Sequence, residues 1–241
     1  MAVTYEFPLS EKLRTYLRLE EVLERLFCKD NPHFFQALFN AQDVLERGEL
    51  RADLSKDLER LMERLQLWSQ RPEVDGQRLQ QMHEDLRSLR HWLAATPKPG
   101  QAWRDDKFLA SLRSRYAVPG GDTNFDLPQL QCWHQRSIEL RQAEISAWLD
   151  VVAPLQQSLQ SFLHFLRELG HSESVLAKSG FYQNAGDQLV LVRISGLPVD
   201  VFPMVSGHRG RYTVRLMRLC DDGEQQAVTE DMAFNQQTCA W

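Results

Sequence analysis

At 241 residues, with 43% hydrophobic and 25% charged side chains, the chain can bury a core as one large domain or two small ones. Its formal net charge of −5 argues against general nucleic-acid binding, which favours a basic surface. No run of 18 apolar residues occurs, and "MAVTYEFPLSEK" has neither a basic n-region nor an apolar h-region, so the sequence predicts a cytoplasmic protein without a membrane span.

"VTYEF" at residues 3–7 alternates like a short strand and stops at Pro8. Ser10 then reads as a helix N-cap, with Glu11 in the first turn where the helix dipole favours it. Leu13, Leu17, Val22, Leu23, Leu26 and Phe27 continue as an apolar helical stripe, and a second helix is expected from Pro32 to Glu46, ending at Gly48. Leu54, Leu58, Leu61, Leu65 and Trp68, then Leu79, Met82, Leu86, Leu89 and Leu93, recur at spacings of three and four around the loop "SQRPEVDG". This predicts an antiparallel helical hairpin that packs into a bundle or offers an apolar seam to a second subunit. A shorter helix is expected over 105–116, followed by the loop "VPGGDTNFDLP". Its Gly-Gly-Asp122-Thr123 lacks the order of a phosphate-binding loop and no strand precedes it, so a structural loop is the better reading. The last helix spans 139–169, with Trp148, Leu155, Leu159, Phe162 and Leu166 inward, a break at Pro154 and Gly170 as the residue past its C-cap.

Beyond residue 178 the period changes from helical to alternating. "GFYQ", "QLVLVRI", "VDVFPMVS", "GRYTVRLMRL" and "QAVTEDMAF" read as strands separated by turns. Helices followed by strands predict an α+β protein: a mainly α-helical bundle domain over 10–178, and a small antiparallel β-sheet domain from 1–9 with 179–241, the N-terminal strand joining the C-terminal ones.

No catalytic or phosphate-binding motif is present, and the histidines are dispersed; nothing in the sequence points to an enzyme, although a site can assemble from distant residues, and no cofactor or metal is expected. Cys28, Cys132, Cys220 and Cys239 show no ligand spacing and read as free thiols, mainly core filler. What stands out is arginine. Residues 180–218 hold five arginines and no lysine, against Asp187 and Asp200. In "GHRGRYTVRLMR", residues 207–218, strand parity puts Tyr212, Val214 and Leu216 on the core side and Arg209, Arg211, Thr213 and Arg215 on the other. Two readings stand at this point: an edge strand guarded by charge, or a surface for an anionic partner. Arg14 and Arg18 are like-charged neighbours on the first helix, which Glu11 and Glu21 can offset, and Arg47 lies beside a helix-ending glycine, where it complements the dipole.

"FPLSEKLRTYLRLE", "LERGELR", "VPGGDTNFDLP", "GFYQ" and "VSGHRGRYTVRLM" occur in this order over residues 6–218 and together resemble the ZapD family of bacterial division proteins, which associate with the FtsZ ring. The resemblance implies a cytoplasmic, non-enzymatic homodimer with a helical and a β domain. It implies binding of the C-terminal tail of FtsZ, cross-linking and bundling of FtsZ protofilaments, and location at the division site through FtsZ. On this sequence the family's tail-binding residues match Arg47, Arg211 and Arg215, with Arg18 a further matching basic position and His208 and Arg209 beside the pair. "HQRSIELRQ" and "QQTCAW" do not follow the family pattern. The runner-up is a nucleic-acid binder using the same arginine face.

Overall fold

The computed structural model describes residues 3–28, 31–46, 50–68, 76–96, 98–121, 123–208 and 210–241. In chain order, β1 (Tyr5–Pro8) leads into α1 (Glu11–Leu26), α2 (Phe34–Glu46), α3 (Leu50–Trp68), α4 (Gly76–Ala95), α5 (Gln101–Asp105), α6 (Lys107–Tyr116), α7 (Pro128–His134), α8 (Ile138–Asp150) and α9 (Ala153–Glu168). The strands β2 (His171–Ala177), β3 (Phe181–Ala185), β4 (Leu189–Ser195), β5 (Val201–His208), β6 (Arg211–Leu219), β7 (Gln225–Ala227) and β8 (Met232–Ala240) follow. The protein is therefore α+β. Two compact units form, Met1–Leu17 with Leu163–Trp241, and Arg18–Phe162; the division falls within α1 and α9.

The expected local signals operate. Ser10 caps α1, its Oγ accepting from Leu13 N at 3.2 Å. The long C-terminal helix breaks between Asp150 and Ala153, and Pro154 falls in the first turn of α9, where its missing N–H costs nothing.

In the helical unit, α3 and α4 lie side by side. Leu54, Leu58, Leu61 and Leu65 are buried, as are Leu79, Leu86 and Leu93, and Arg90 of α4 reaches Glu59 of α3 at 2.7 Å. The joining segment 69–75 and the Trp68 side chain lie outside the described residues, as does Asp122. A second core centres on aromatic rings: Phe34 and Phe35 of α2, Phe108 of α6, Trp133 of α7 and Trp148 of α8 stack or meet edge to face. Rings of this size bury a large apolar area each and add the attraction of their stacked and edge-to-face contacts.

The β unit is two antiparallel sheets, ordered β1-β4-β8-β2 and β3-β6-β5, with β7 continuing beside β6. The N-terminal strand joins the C-terminal ones by pairing with β4, Tyr5 opposite Ile194 and Phe7 opposite Val192. Val192, Ile194 and Phe234 of the first sheet pack with Val201, Tyr212, Val214 and Leu216 of the second. On the other face of the first sheet, Glu6 takes Arg193 of β4 and Arg167 of α9, each at 2.7 Å.

Several expectations are corrected. A strand precedes residue 178: His171–Ala177 is β2, an edge strand whose polar, mostly exposed side chains give no alternation. The short helix α7 and the separate α5 carry too few turns to show a period. Gly170 does not have the positive φ of a helix-ending glycine. It is glycine because a Cβ there would sit 2.6 Å from the Gln237 side chain. Cys28 and Cys132 are exposed and only Cys239 is fully buried, so core filling describes one thiol of the four. Burial pushes the Cys239 thiol up to about 11. A thiol reagent should accordingly modify Cys28 and Cys132 in the native protein and reach Cys239 only on unfolding; a native-rate reaction at Cys239 would show that β8 opens.

Candidate functional site

β6 is formed by alternation around β-branched Thr213 and Val214, and its two faces separate as parity requires. Tyr212, Val214 and Leu216 are buried, while Arg211 and Arg215 are exposed. The edge-strand reading fails. β6 is hydrogen-bonded to β5 along one side and to β3 and then β7 along the other, so no backbone edge is left for charge to guard.

The five arginines of this region then divide. Arg193 is held by Glu6 at 2.7 Å, and Arg218 by Asp200 at 3.0 Å and Glu230 at 2.6 Å. These serve the fold. Arg211 and Arg215 have no ion-pair partner among the described residues, and both point to solvent from the middle of the sheet. Arg209 lies outside the described residues. His208 is exposed and sits directly across from Arg211. The tight turn before β6 depends on Gly210, whose φ of +80° suits glycine and whose Cβ position lies 2.2 Å from the Gly186 carbonyl oxygen.

The neighbours of the two arginines differ. Arg211 stands between Ala185 and His208, Thr213 between Gln183 and Ser206, and Arg215 between Phe181 and Met204. The Arg215 guanidinium lies over the Phe181 ring, 5.3 Å from its centroid. A groove of about 590 Å³ opens along the Arg211 end, lined by Gln183, Asn184, Ala185, Ser206, Arg211 and Thr213, with part of Tyr212. Phe181 and Met204 are the residues that sequence reasoning missed. Their outward parity was available, but their placement opposite Arg215 depends on cross-strand register, which the sequence does not display.

Beneath this face lies a buried polar chain. Tyr212 is 2% exposed and its hydroxyl donates to Gln236 Oε1 at 2.6 Å; Gln236 Nε2 donates to Glu173 at 2.7 Å and to the Tyr182 hydroxyl at 2.9 Å. Burial pushes the Tyr212 phenol up to about 12, so it remains a neutral donor that ties the two sheets beneath the arginines.

The remaining basic positions belong to the helical unit. Arg18 is exposed on α1, with no ion-pair partner among the described residues. The offset expected from Glu21 does not occur, because Glu21 pairs with Arg25, whereas Arg14 does meet Glu11 at 3.5 Å. Arg47 follows the last residue of α2 and lies outside the described residues. The face therefore unites Arg211, Arg215 and His208, and provides guanidinium donors suited to carboxylates, with the Phe181 ring against that of Arg215.

A family profile described as "ZapD: Cell division protein" matches residues 14–215. The chain is also 35% identical to the cell division protein ZapD of Cronobacter sakazakii (strain ATCC BAA-894), over 98% of either sequence. No helix among the described residues is long and apolar enough to cross a membrane. A match that takes in the N-terminal helix, the helical unit and β6 up to Arg215, joined to likeness along nearly the whole of a relative, leaves one conclusion: this chain belongs to the ZapD family of cell division proteins.

Proposed function

We propose that this protein binds the C-terminal tail of FtsZ on the solvent face of β6 and, as a homodimer, cross-links FtsZ protofilaments into bundles that promote assembly of the division ring. It acts without catalysis, in the cytoplasm, and reaches mid-cell through FtsZ. The observation that carries the reading is the pair Arg211 and Arg215: exposed on a central strand, free of ion pairs among the described residues, and in a chain of a cell division family.

The energetics fit a weak, repeated contact. Each charge-assisted hydrogen bond contributes about 1.5–3 kcal/mol gross and less after desolvation, so one tail binds at roughly micromolar Kd. A dimer offers two sites and a filament many tails, and such linkage raises apparent affinity by about 10²–10⁴. Arg47 and Arg18 of the helical unit are proposed as further contacts, with Arg209 and His208 supporting the pair.

Low-speed sedimentation tests this. FtsZ filaments should pellet with the protein, and filaments of FtsZ lacking its C-terminal tail should stay in solution. Pelleting independent of the tail would overturn the docking assignment. A monomer by light scattering at working concentration would end the cross-linking mechanism.

A further inference from the structure

The solvent face of β6 changes chemistry along its length. Arg211 with His208 forms a cationic, polar end, continued by the row Gln183–Thr213–Ser206. The next row is Phe181–Arg215–Met204, and beyond it Phe202 and Ala227 flank Met217. Phe181 is 37% exposed and Met204 54% exposed, on the same face as Arg215 and one strand away on either side. Single exposed apolar side chains are ordinary. Two that bracket one guanidinium with no ion-pair partner among the described residues, about 4.8 Å away on each neighbouring strand, make a composite surface.

We infer that Phe181 and Met204 are specificity residues: they seat an apolar side chain of the bound segment next to the carboxylate that Arg215 holds, and so fix the direction in which the segment lies. The inference rests on the reading of this face as the tail-binding site. An exposed ion pair is worth little in water because solvent screens it. An apolar group settled on Phe181 and Met204 excludes water from one side of the Arg215 contact and strengthens it. Phe181 already holds the guanidinium over its ring, which leaves the edge donors free for a carboxylate. Met204 adapts its unbranched thioether to the side chain presented. At the other end, about 13 Å along β6, Arg211 stands between His208 and Ala185, so charge and hydrogen bonds are offered there with no large apolar side chain on either neighbouring strand. A segment with an acidic end and an apolar end therefore fits in one direction.

The test is fluorescence anisotropy with a labelled synthetic peptide of the FtsZ C-terminal tail, at about 0.1 M and 0.3 M salt, with circular dichroism to verify folding. Phe181→Ala/Met204→Ala should raise Kd about tenfold at the lower salt concentration and by more at the higher, because the Arg215 contact loses its apolar cover and is screened by solvent and salt. Phe181→Leu/Met204→Leu, which retains apolar bulk, should keep most of the affinity and keeps the test open if the alanine pair misfolds. A peptide with the order of its acidic and apolar residues reversed should bind the wild type more weakly, and the alanine variant should bind both peptides alike. Unchanged affinity in a folded alanine variant, with binding still lost in an Arg211/Arg215 variant, overturns this inference and leaves the tail site intact. Absence of any binding by the wild type overturns the tail site itself, and this inference with it.

Discussion

The Arg211→Ala/Arg215→Ala variant is expected to leave FtsZ filaments in the supernatant under conditions where the unmodified protein pellets them. Both side chains are exposed and neither is held in an ion pair among the described residues, so removing them changes the fold little. The loss of Arg215 also removes its contact with the Phe181 ring, about 0.5–1 kcal/mol at an exposed site. Two charge-assisted contacts worth about 1–1.5 kcal/mol each after desolvation correspond to a roughly 30–150-fold rise in Kd for a single tail. Because cross-linking multiplies single-site affinities, that loss is enough to abolish bundling at concentrations where the wild type saturates. Arg218 provides the contrast. Its guanidinium is engaged by Asp200 and Glu230, so Arg218→Ala should still pellet filaments. Raising the salt should weaken the wild type toward the double variant, since the Debye length falls from about 10 Å at 0.1 M to about 3 Å at 1 M. Equal pelleting by the double variant, shown to be folded, would separate the arginine face from filament binding.

Parity was legible in the sequence, and adjacency was not. The alternation in "RYTVRLM" placed Tyr212, Val214 and Leu216 inward and the arginines outward, as the burial confirms. Whether the strand was an edge could not be read, because its neighbours β3, β5 and β7 come from three separate segments and alternation does not count neighbours. For the same reason Phe181 and Met204 were not connected with Arg215. Sorting structural from available arginines also required long-range partners: Arg193 is taken by Glu6, 187 positions earlier in the chain, and Arg218 by Asp200 and Glu230. Within the helices, stripes of three and four located the α3–α4 pair, and Pro154 located the break before α9. The short α7 and the polar strand β2 were invisible because too few residues repeat to establish a period.

Trp148→Ala is expected to cost about 3–5 kcal/mol of the stability of the helical unit. Trp148 lies 8% exposed on α8, stacked on Phe108 at 6.0 Å and 8°, on Phe34 at 6.1 Å and 25°, and edge-on to Phe35 at 5.8 Å. It therefore joins α8 to α6 and α2 through one side chain. Its indole N–H donates to Asp106 Oδ2 at 3.0 Å, the same carboxylate whose other oxygen caps α6 by accepting from Leu109 N at 2.9 Å. Its backbone carbonyl receives the indole N–H of Trp103 at 2.8 Å. The alanine variant keeps that backbone acceptor but opens a cavity among rings that cannot collapse without breaking their stacking. Trp148→Phe fills most of the cavity and removes only the donor to Asp106, so it should cost about 1–2 kcal/mol. Guanidinium unfolding followed by far-ultraviolet circular dichroism separates the two: the midpoint should fall sharply for alanine and modestly for phenylalanine, with the slope unchanged. Equal losses for both would mean that the hydrogen bond to Asp106, and not the ring stack, holds α8 in place. A loss below about 1 kcal/mol for alanine would mean that the cluster repacks, and that the helical unit is anchored by the leucines of α3 and α4 instead.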